Sequence, residues 1–446
     1  IKGIKLSNSY SVYHVFTPSS PAKENYIERD KLSSRIASSL STPGKQIVVF
    51  GHSGVGKTSL LRKQLERQYE KEIITSCMTN LTFESILLDA FDQLDEYYVS
   101  QKKQANDYGI ESSIANDYFA LKSSIKAYSK IKEEQSSSRI IEIQLTASRL
   151  ADFLGEGGYC WVLEDFHKVD KTEKTKLSQT MKLFMDKSIK YNNLKIIAIG
   201  AVDTGREVIE YDSEMKKRIS EIEVKLMSDV EIGKIIKNGE ILLNISIEKR
   251  IHTEIVKFSN GIASVCHSIC LYMCEEKGIL NTVIGDPIKF NKADLENSIQ
   301  RYMEEESDTM KDRFNKALIV QKEKNKNVEL ILKSLTKFPS NGATNSELLS
   351  IIRDEKIDYH QNTLTINLEK LQLEERGALI RFDNSSAKFS FKEPFYKPFA
   401  LAFFQEEDKS KEKILKNSLK TLIGKMAYEA IVEEQLKKYV HSKSSN

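Results

Sequence analysis

Residues 46–50 read Gln-Ile-Val-Val-Phe, and the eight that follow are Gly51-His52-Ser53-Gly54-Val55-Gly56-Lys57-Thr58. The apolar, β-branched run is the pattern of a strand buried on both faces. Thr58–Gln68 continues with helical spacing. Strand, glycine-rich turn and helix in that order commit the chain to a parallel α/β unit. The turn matches G-x-x-x-x-G-K-[ST] in full. Glycines at 51, 54 and 56 let the backbone curl, so that successive N–H groups point inward. The helix behind adds the positive end of its dipole, about half an elementary charge. A chance glycine-rich turn is the competing reading, and the flanking strand and helix argue against it. The concavity fits the phosphates of ATP, cradled by Gly51 through Ser59. Lys57 supplies a cation between the β and γ phosphates, and Thr58 offers a hydroxyl to Mg²⁺.

Further buried-strand runs recur at Glu72–Met78, Tyr159–Leu163 and Leu194–Gly200. Helical patterns at Thr82–Tyr98, Arg139–Leu154 and Lys171–Tyr191 separate them. The alternation predicts an α/β P-loop sheet with helices on both faces. After Gly205 no run has the look of a central strand. Three helices, Ser228–Ile236, Glu248–Phe258 and Ile262–Gly278, predict an all-helical lid, with Asn291–Glu306 as a further helix. Then come helices at Asn327–Lys337, Thr344–Asp354 and Thr363–Leu373, and strands at Ala378–Phe382 and Lys388–Phe391. That order is what a winged helix requires. The expected organisation is an N-terminal segment with one helix at Tyr26–Leu40 (1–43), an ATPase core (44–226) with a polar insertion (99–138), a helical lid (227–306), a winged-helix domain (307–405) and a helical tail (406–446). At roughly 100–200 residues per domain, 446 residues fit two or three domains.

Three further places carry candidate chemistry. Glu164-Asp165 follows the strand run Tyr159–Leu163. Glu164 is placed to hold the Mg²⁺ shell and Asp165 to polarise the attacking water, with a solvated acidic turn as the plainer reading. His167, two residues on, either faces the γ-phosphate or is structural. Asp203 or Thr204, after the Leu194–Gly200 run, senses the γ-phosphate or caps a helix. Arg218 closes Lys216-Lys217-Arg218. It is either an arginine reaching a neighbour's nucleotide or a basic helix end favoured by the dipole.

Together these residues resemble the AAA+ superfamily and the neighbouring signal-transducing STAND ATPases, nearest to bacterial proteins of origin-recognition-like AAA type. The resemblance spans about Tyr26 to Phe404. It rests on Glu28-Arg29, the glycine-rich loop, Leu163-Glu164-Asp165-Phe166-His167, Arg218-Ile-Ser-Glu-Ile and Ser259–His267. It implies an ATP switch in which lid and winged helix move against the core. Arg29 would sit near the adenine or pair with an acid. Two departures stand out. The acidic pair runs Glu then Asp where the family has Asp then Glu, and Gly261-Ile262-Ala263 lacks the usual lid arginine. That leaves His267 as the polar candidate for a γ-phosphate contact, or a packed helical histidine.

The resemblance implies a homo-oligomer that controls an effector protein, in a setting such as bacterial antiphage defence or signalling. The alternative is a DNA-acting ATPase of origin-binding or transposition-regulator type. A net charge of +3 excludes a chain-wide polyanion binder, and acids and bases nearly cancel across Val328–Ala400. The Glu-Asp order admits a third reading, a nucleotide-binding scaffold that turns over slowly or not at all. Cys77, Cys160, Cys266, Cys270 and Cys274 read as packing residues of a cytoplasmic protein. No apolar run reaches the roughly 18–20 residues of a membrane span, and no cleavable leader pattern opens the chain. The chain starts at Ile1 and not at Met, which leaves open a few preceding residues or a preceding domain.

Overall fold

The computed structural model describes residues 9–69, 71–94, 146–202, 205, 215–305, 308–318, 327–384 and 386–404. The expected insertion at 99–138, the tail at 406–446, and Asp203 and Thr204 lie outside them. The chain divides into two compact units, at Asn291–Lys292.

The first unit is built on five parallel strands: β1 (Gln46–Phe50), β2 (Glu72–Ser76), β3 (Cys160–Glu164), β4 (Lys195–Gly200) and β5 (Ile219–Glu223). Their order is β2-β3-β4-β1-β5. Successive side chains of a strand point to opposite faces, and each strand feeds two cores in this way. Val48, Phe50, Trp161, Leu163, Ile196 and Ala198 pack on one face. Ile47, Val49, Cys160, Val162, Ile197 and Ile199 pack on the other. Helices α2 (Asp30–Ser41) and α3 (Lys57–Gln68) cover the second face. Residues 83–94 (α4), with α5 (Ala147–Gly157) and α6 (Lys171–Lys187), cover the first. A four-residue α1 (Val12–Val15) precedes them all.

Both sheet edges are shielded. The Gln93 side chain accepts from the Ile74 amide at 3.2 Å and donates to the Ile74 carbonyl at 2.8 Å, occupying backbone groups of β2. At the other edge, the Ser39 and Ser220 hydroxyls meet at 2.7 Å, and Arg35 donates to the Glu221 carbonyl.

Three expectations are corrected. β5 is a central-sheet strand after Gly205, paired with β1 from Gln46↔Ile219 to Phe50↔Glu223. Its Ile-Ser-Glu-Ile-Glu offers one isoleucine to each face, Ile219 to the first and Ile222 to the second, with polar residues between them, so the continuous apolar run is missing. The lid is not all helical. Beside α7 (Asp229–Leu243), α8 (Lys249–Ser259) and α9 (Ala263–Glu276) it holds a parallel pair, β6 (Ile245–Ile247) with β7 (Ile288–Phe290). Finally, the helix expected from Tyr26 starts at Asp30, because Asn25 and Arg29 are committed to the lid and its approach. Asn25 donates to the Ile235 carbonyl at 3.0 Å.

The N-terminal segment binds tightly to the lid. The Val12 amide donates to Leu280 O at 2.9 Å, and the Tyr10 amide to the Thr282 hydroxyl at 2.8 Å. Buried Phe16 lies over Gly239, where a Cβ would fall 2.2 Å from its ring. The mid-helix glycine, which costs about 1 kcal/mol in helix propensity, therefore makes room for an aromatic anchor.

The second unit holds α10 (Lys292–Glu305), α11 (Asp308–Leu318), α12 (Asn327–Thr336), α13 (Asn345–Glu355) and α14 (Gln361–Lys370). An antiparallel hairpin follows, β8 (Ile380–Asp383) with β9 (Lys388–Phe391). Thr344 and Glu347 form a reciprocal capping box at the start of α13. Among the described residues, no helix is long and apolar enough to cross a membrane.

Candidate nucleotide site at the carboxyl edge of the sheet

β1 delivers the chain into a turn with positive φ at Gly51 (141°), Gly54 (73°) and Gly56 (89°). At Gly51 a Cβ would lie 2.3 Å from the Val224 carbonyl oxygen. The loop can therefore lie against the exit of β5 only without a side chain there. Buried Val55 pins the loop to the core, and Ser53 faces solvent. α3 begins at Lys57, so its unpaired N–H groups open into the loop's concavity.

The Lys57 ammonium donates to the carbonyls of Gly51 at 2.8 Å and His52 at 2.7 Å. Burial pushes its pKa down to about 8, and the Asp165 carboxylate opposes that shift. The lysine thus rests on its own loop, held by acceptors weaker than a phosphate oxygen. Thr58 is half-buried behind it. The Ser59 hydroxyl accepts from the Ala22 amide at 3.0 Å, which ties the N-terminal segment to α3.

Glu164 is the last residue of β3, and its carbonyl accepts from the Cys77 amide at 2.8 Å. Among the described residues no hydrogen bond or ion pair engages its carboxylate. Asp165 turns sharply, with φ 54° and ψ 29°, a conformation that Asp tolerates better than most residues. Its carboxylate meets Lys168 Nζ at 2.7 Å. His167 accepts at Nδ1 from the Ala201 amide at 3.3 Å, just past β4. Burial holds its pKa below the ordinary value; Asp165 opposes this, and Lys168, Lys174 and Lys57 reinforce it.

The structure therefore brings Gly51–Ser59, Glu164, Asp165 and His167 to the carboxyl edge of the parallel strands, where open α/β sheets place their ligands. The donor set suits magnesium. A hydroxyl (Thr58) and a carboxylate (Glu164) are hard oxygen ligands, and Mg²⁺ commonly takes one or two of these together with substrate phosphate.

Three other candidates are engaged by partners outside the loop. Arg218 precedes β5, and its carbonyl accepts from the Gln46 amide at 2.9 Å. It occupies the amino edge of the sheet, a strand length of about 16 Å from the loop, and pairs with Asp186 at 2.9 Å. Arg29 takes the acid-pairing option. Its guanidinium meets Glu231 at 3.1 Å and donates to Lys225 O at 3.0 Å and Leu226 O at 3.4 Å. His267 is buried in α9, accepts from the Thr17 amide at 3.2 Å and stands edge-on to Phe16 at 6.1 Å. Burial takes its pKa down to about 4, so it is a neutral packing histidine here. One contact escaped the sequence. The Ser264 amide, in the first turn of α9, donates to the Gly54 carbonyl at 3.1 Å. A backbone–backbone bond leaves no residue-type signal.

No protein-family model matches the chain, and no curated protein does. Some solved structures are similar to it at low identity. A Walker-type ATPase of Pyrococcus abyssi is 15% identical, covering 86% of this chain and 99% of its own at a TM-score of 0.47. Cdc6p of Pyrobaculum aerophilum is 14% identical over 89% and 98%, with a TM-score of 0.43. The RuvB Holliday junction branch migration motor of Thermotoga maritima is 13% identical over 83% and 94%, with a TM-score of 0.38. The fold itself follows from the chain's own features. A glycine-rich loop joins β1 to α3, and the strand order β2-β3-β4-β1-β5 has helices on both faces. This is a P-loop α/β core.

Proposed function

We propose that this chain is an Mg²⁺-dependent ATP-binding switch that hydrolyses ATP, assembles into oligomers and controls an effector protein. The observation that carries the reading is Lys57, a half-buried ammonium resting on Gly51 and His52 carbonyls within reach of the Asp165 field. A triphosphate offers it stronger, charged acceptors.

In this reading the loop amides and the α3 N-terminus bind the β and γ phosphates, and Lys57 turns from its own carbonyls to them. Thr58 and Glu164 hold magnesium, which supplies charge neutralisation on the phosphates when bound. Asp165 orients the attacking water, a role that requires release of its contact with Lys168. That contact and the short Asp side chain favour slow turnover.

The second unit supplies the output. Helices α12–α14 and the β8–β9 hairpin have the order of a winged helix. The exposed face of α14 carries Gln361, Asn362, Ile366, Glu369 and Lys370, an acid and an aliphatic beside a single base. DNA readers present a basic face, so this surface favours a protein partner over duplex DNA. The family resemblance supports a defence or signalling setting.

Titration calorimetry with magnesium nucleotide tests the reading. Saturable heat with the wild type and none with a folded Lys57→Ala variant is expected. Absence of heat from the folded wild type overturns it.

A further inference from the structure

β3 and β4 pair in register only as far as Leu163↔Ala198. Beyond that point Glu164 and Asp165 emerge from one strand, and Ala201 and Val202 lie beyond the end of the other. The His167 imidazole spans the gap, taking the Ala201 amide on Nδ1 at 3.3 Å. The side chain thus serves as one more rung of the ladder, at the place where two carboxylates leave the sheet.

The rung is fixed at every end. Phe166, fully buried, anchors the single helical turn Phe166–Lys168. The His167 carbonyl accepts from Lys174 Nζ at 2.8 Å, and the Asp165 carbonyl accepts from the Lys168 amide at 2.9 Å. Because Nδ1 accepts, the proton of the neutral ring sits on Nε2. Burial favours that neutral form.

We infer that His167 is a positioning residue for hydrolysis, one that sets where the Asp165 carboxylate stands relative to the exit of β4. This rests on the proposed water-orienting role of Asp165 and assigns His167 no contact with substrate. Asp165 sits in a left-handed conformation two residues before the ring, so a slack rung lets the turn relax and the carboxylate drift. A drift of about 1 Å costs on the order of a hundredfold in rate.

The test is a double-mutant cycle on steady-state ATP turnover, with nucleotide affinity measured on each protein. His167→Leu removes the acceptor and keeps the volume. His167→Asn keeps an acceptor oxygen near the position of Nδ1. Expected results are unchanged affinity in both, a tenfold or greater loss of kcat in His167→Leu, and recovery to within about threefold of wild type in His167→Asn. In an Asp165→Asn background, His167→Leu costs no further rate, because the group it positions is gone. Equal losses in both backgrounds, or an Asn variant no better than Leu, overturn the inference and leave a structural histidine. Wild-type protein that binds nucleotide without turnover above background overturns the hydrolysis reading and this role together.

Discussion

The amide of Ser264 donates a 3.1 Å hydrogen bond to the carbonyl of Gly54. One partner is in the first turn of the lid helix α9, where amides lack intrahelical acceptors. The other is in the loop that would wrap the phosphates. Lid and loop therefore share a bond that any tightening of the loop must strain or strengthen. Hydrogen exchange across residues 263–266 should slow on addition of magnesium nucleotide to the wild type. It should stay unchanged in Lys57→Ala. Identical exchange in wild type with and without nucleotide would show that the lid does not register the loop's occupancy.

A second expectation concerns pH. Lys57 loses its proton near pH 8 in the free protein, and a bound polyanion would hold the proton to higher pH. Between those two values, binding takes up a proton. Affinity should then fall as pH rises above 8, approaching tenfold per unit, while the nucleotide's phosphates are already fully ionised. Below pH 8 the curve should flatten. Isothermal titrations from pH 7 to 9.5 read the slope directly, and a flat profile would place the ammonium outside the phosphate site.

What the sequence disclosed, and what it withheld, follows from the range of each signal. β1, the loop and α3 were legible because a buried strand and three glycines are local facts. Glu164 and Asp165 were legible because a strand end dictates where its next residues go. β5 was missed because its two isoleucines stand three apart among polar residues, which gives neither an apolar run nor a period of two. The three-residue strands β6 and β7 are too short to show a period. Arg29 and His267 were ambiguous for a different reason. Their partners stand 202 and 250 positions away, and no spacing rule reaches that far.

Lys195 gives a stability test away from the site. It is fully buried at the start of β4, donates to the Thr42 carbonyl, and burial pushes its pKa down to about 8. Its folded value lies below its unfolded one. Between pH 8 and the ordinary lysine range, the unfolded chain therefore holds more protons, and stability rises with pH. At pH 7 the charged amine costs about 3 kcal/mol by this reckoning, and an orphaned Thr42 carbonyl would return about 1–2 kcal/mol of cost. Lys195→Met should thus be more stable than wild type at pH 7 by about 1–2 kcal/mol, with the advantage shrinking towards pH 10. The single tryptophan, Trp161, lies buried in neighbouring β3, so its fluorescence reports unfolding of this unit. A destabilised Lys195→Met at pH 7 would mean that the ammonium is better served than its one carbonyl partner suggests.

Arg218 stands at the amino edge of the sheet, paired with Asp186 at 2.9 Å, with the two side chains 41% and 63% exposed. An exposed pair of this kind contributes little to stability, so the arginine is available to another molecule at small cost. It cannot serve its own loop from the far end of β5, which confines any catalytic part to a neighbouring subunit. Arg218→Ala should bind magnesium nucleotide like the wild type and lose the turnover of the proposed oligomer. Lys57→Ala should be inactive for lack of bound nucleotide. Mixed together, the two variants should recover activity, because the Lys57→Ala subunit lends its intact Arg218 to the loaded site beside it. Asp186→Ala frees the guanidinium and should leave turnover unchanged or higher. Two inactive variants that stay inactive when mixed, in particles shown to contain both, would remove Arg218 from the chemistry and leave it as a surface ion pair.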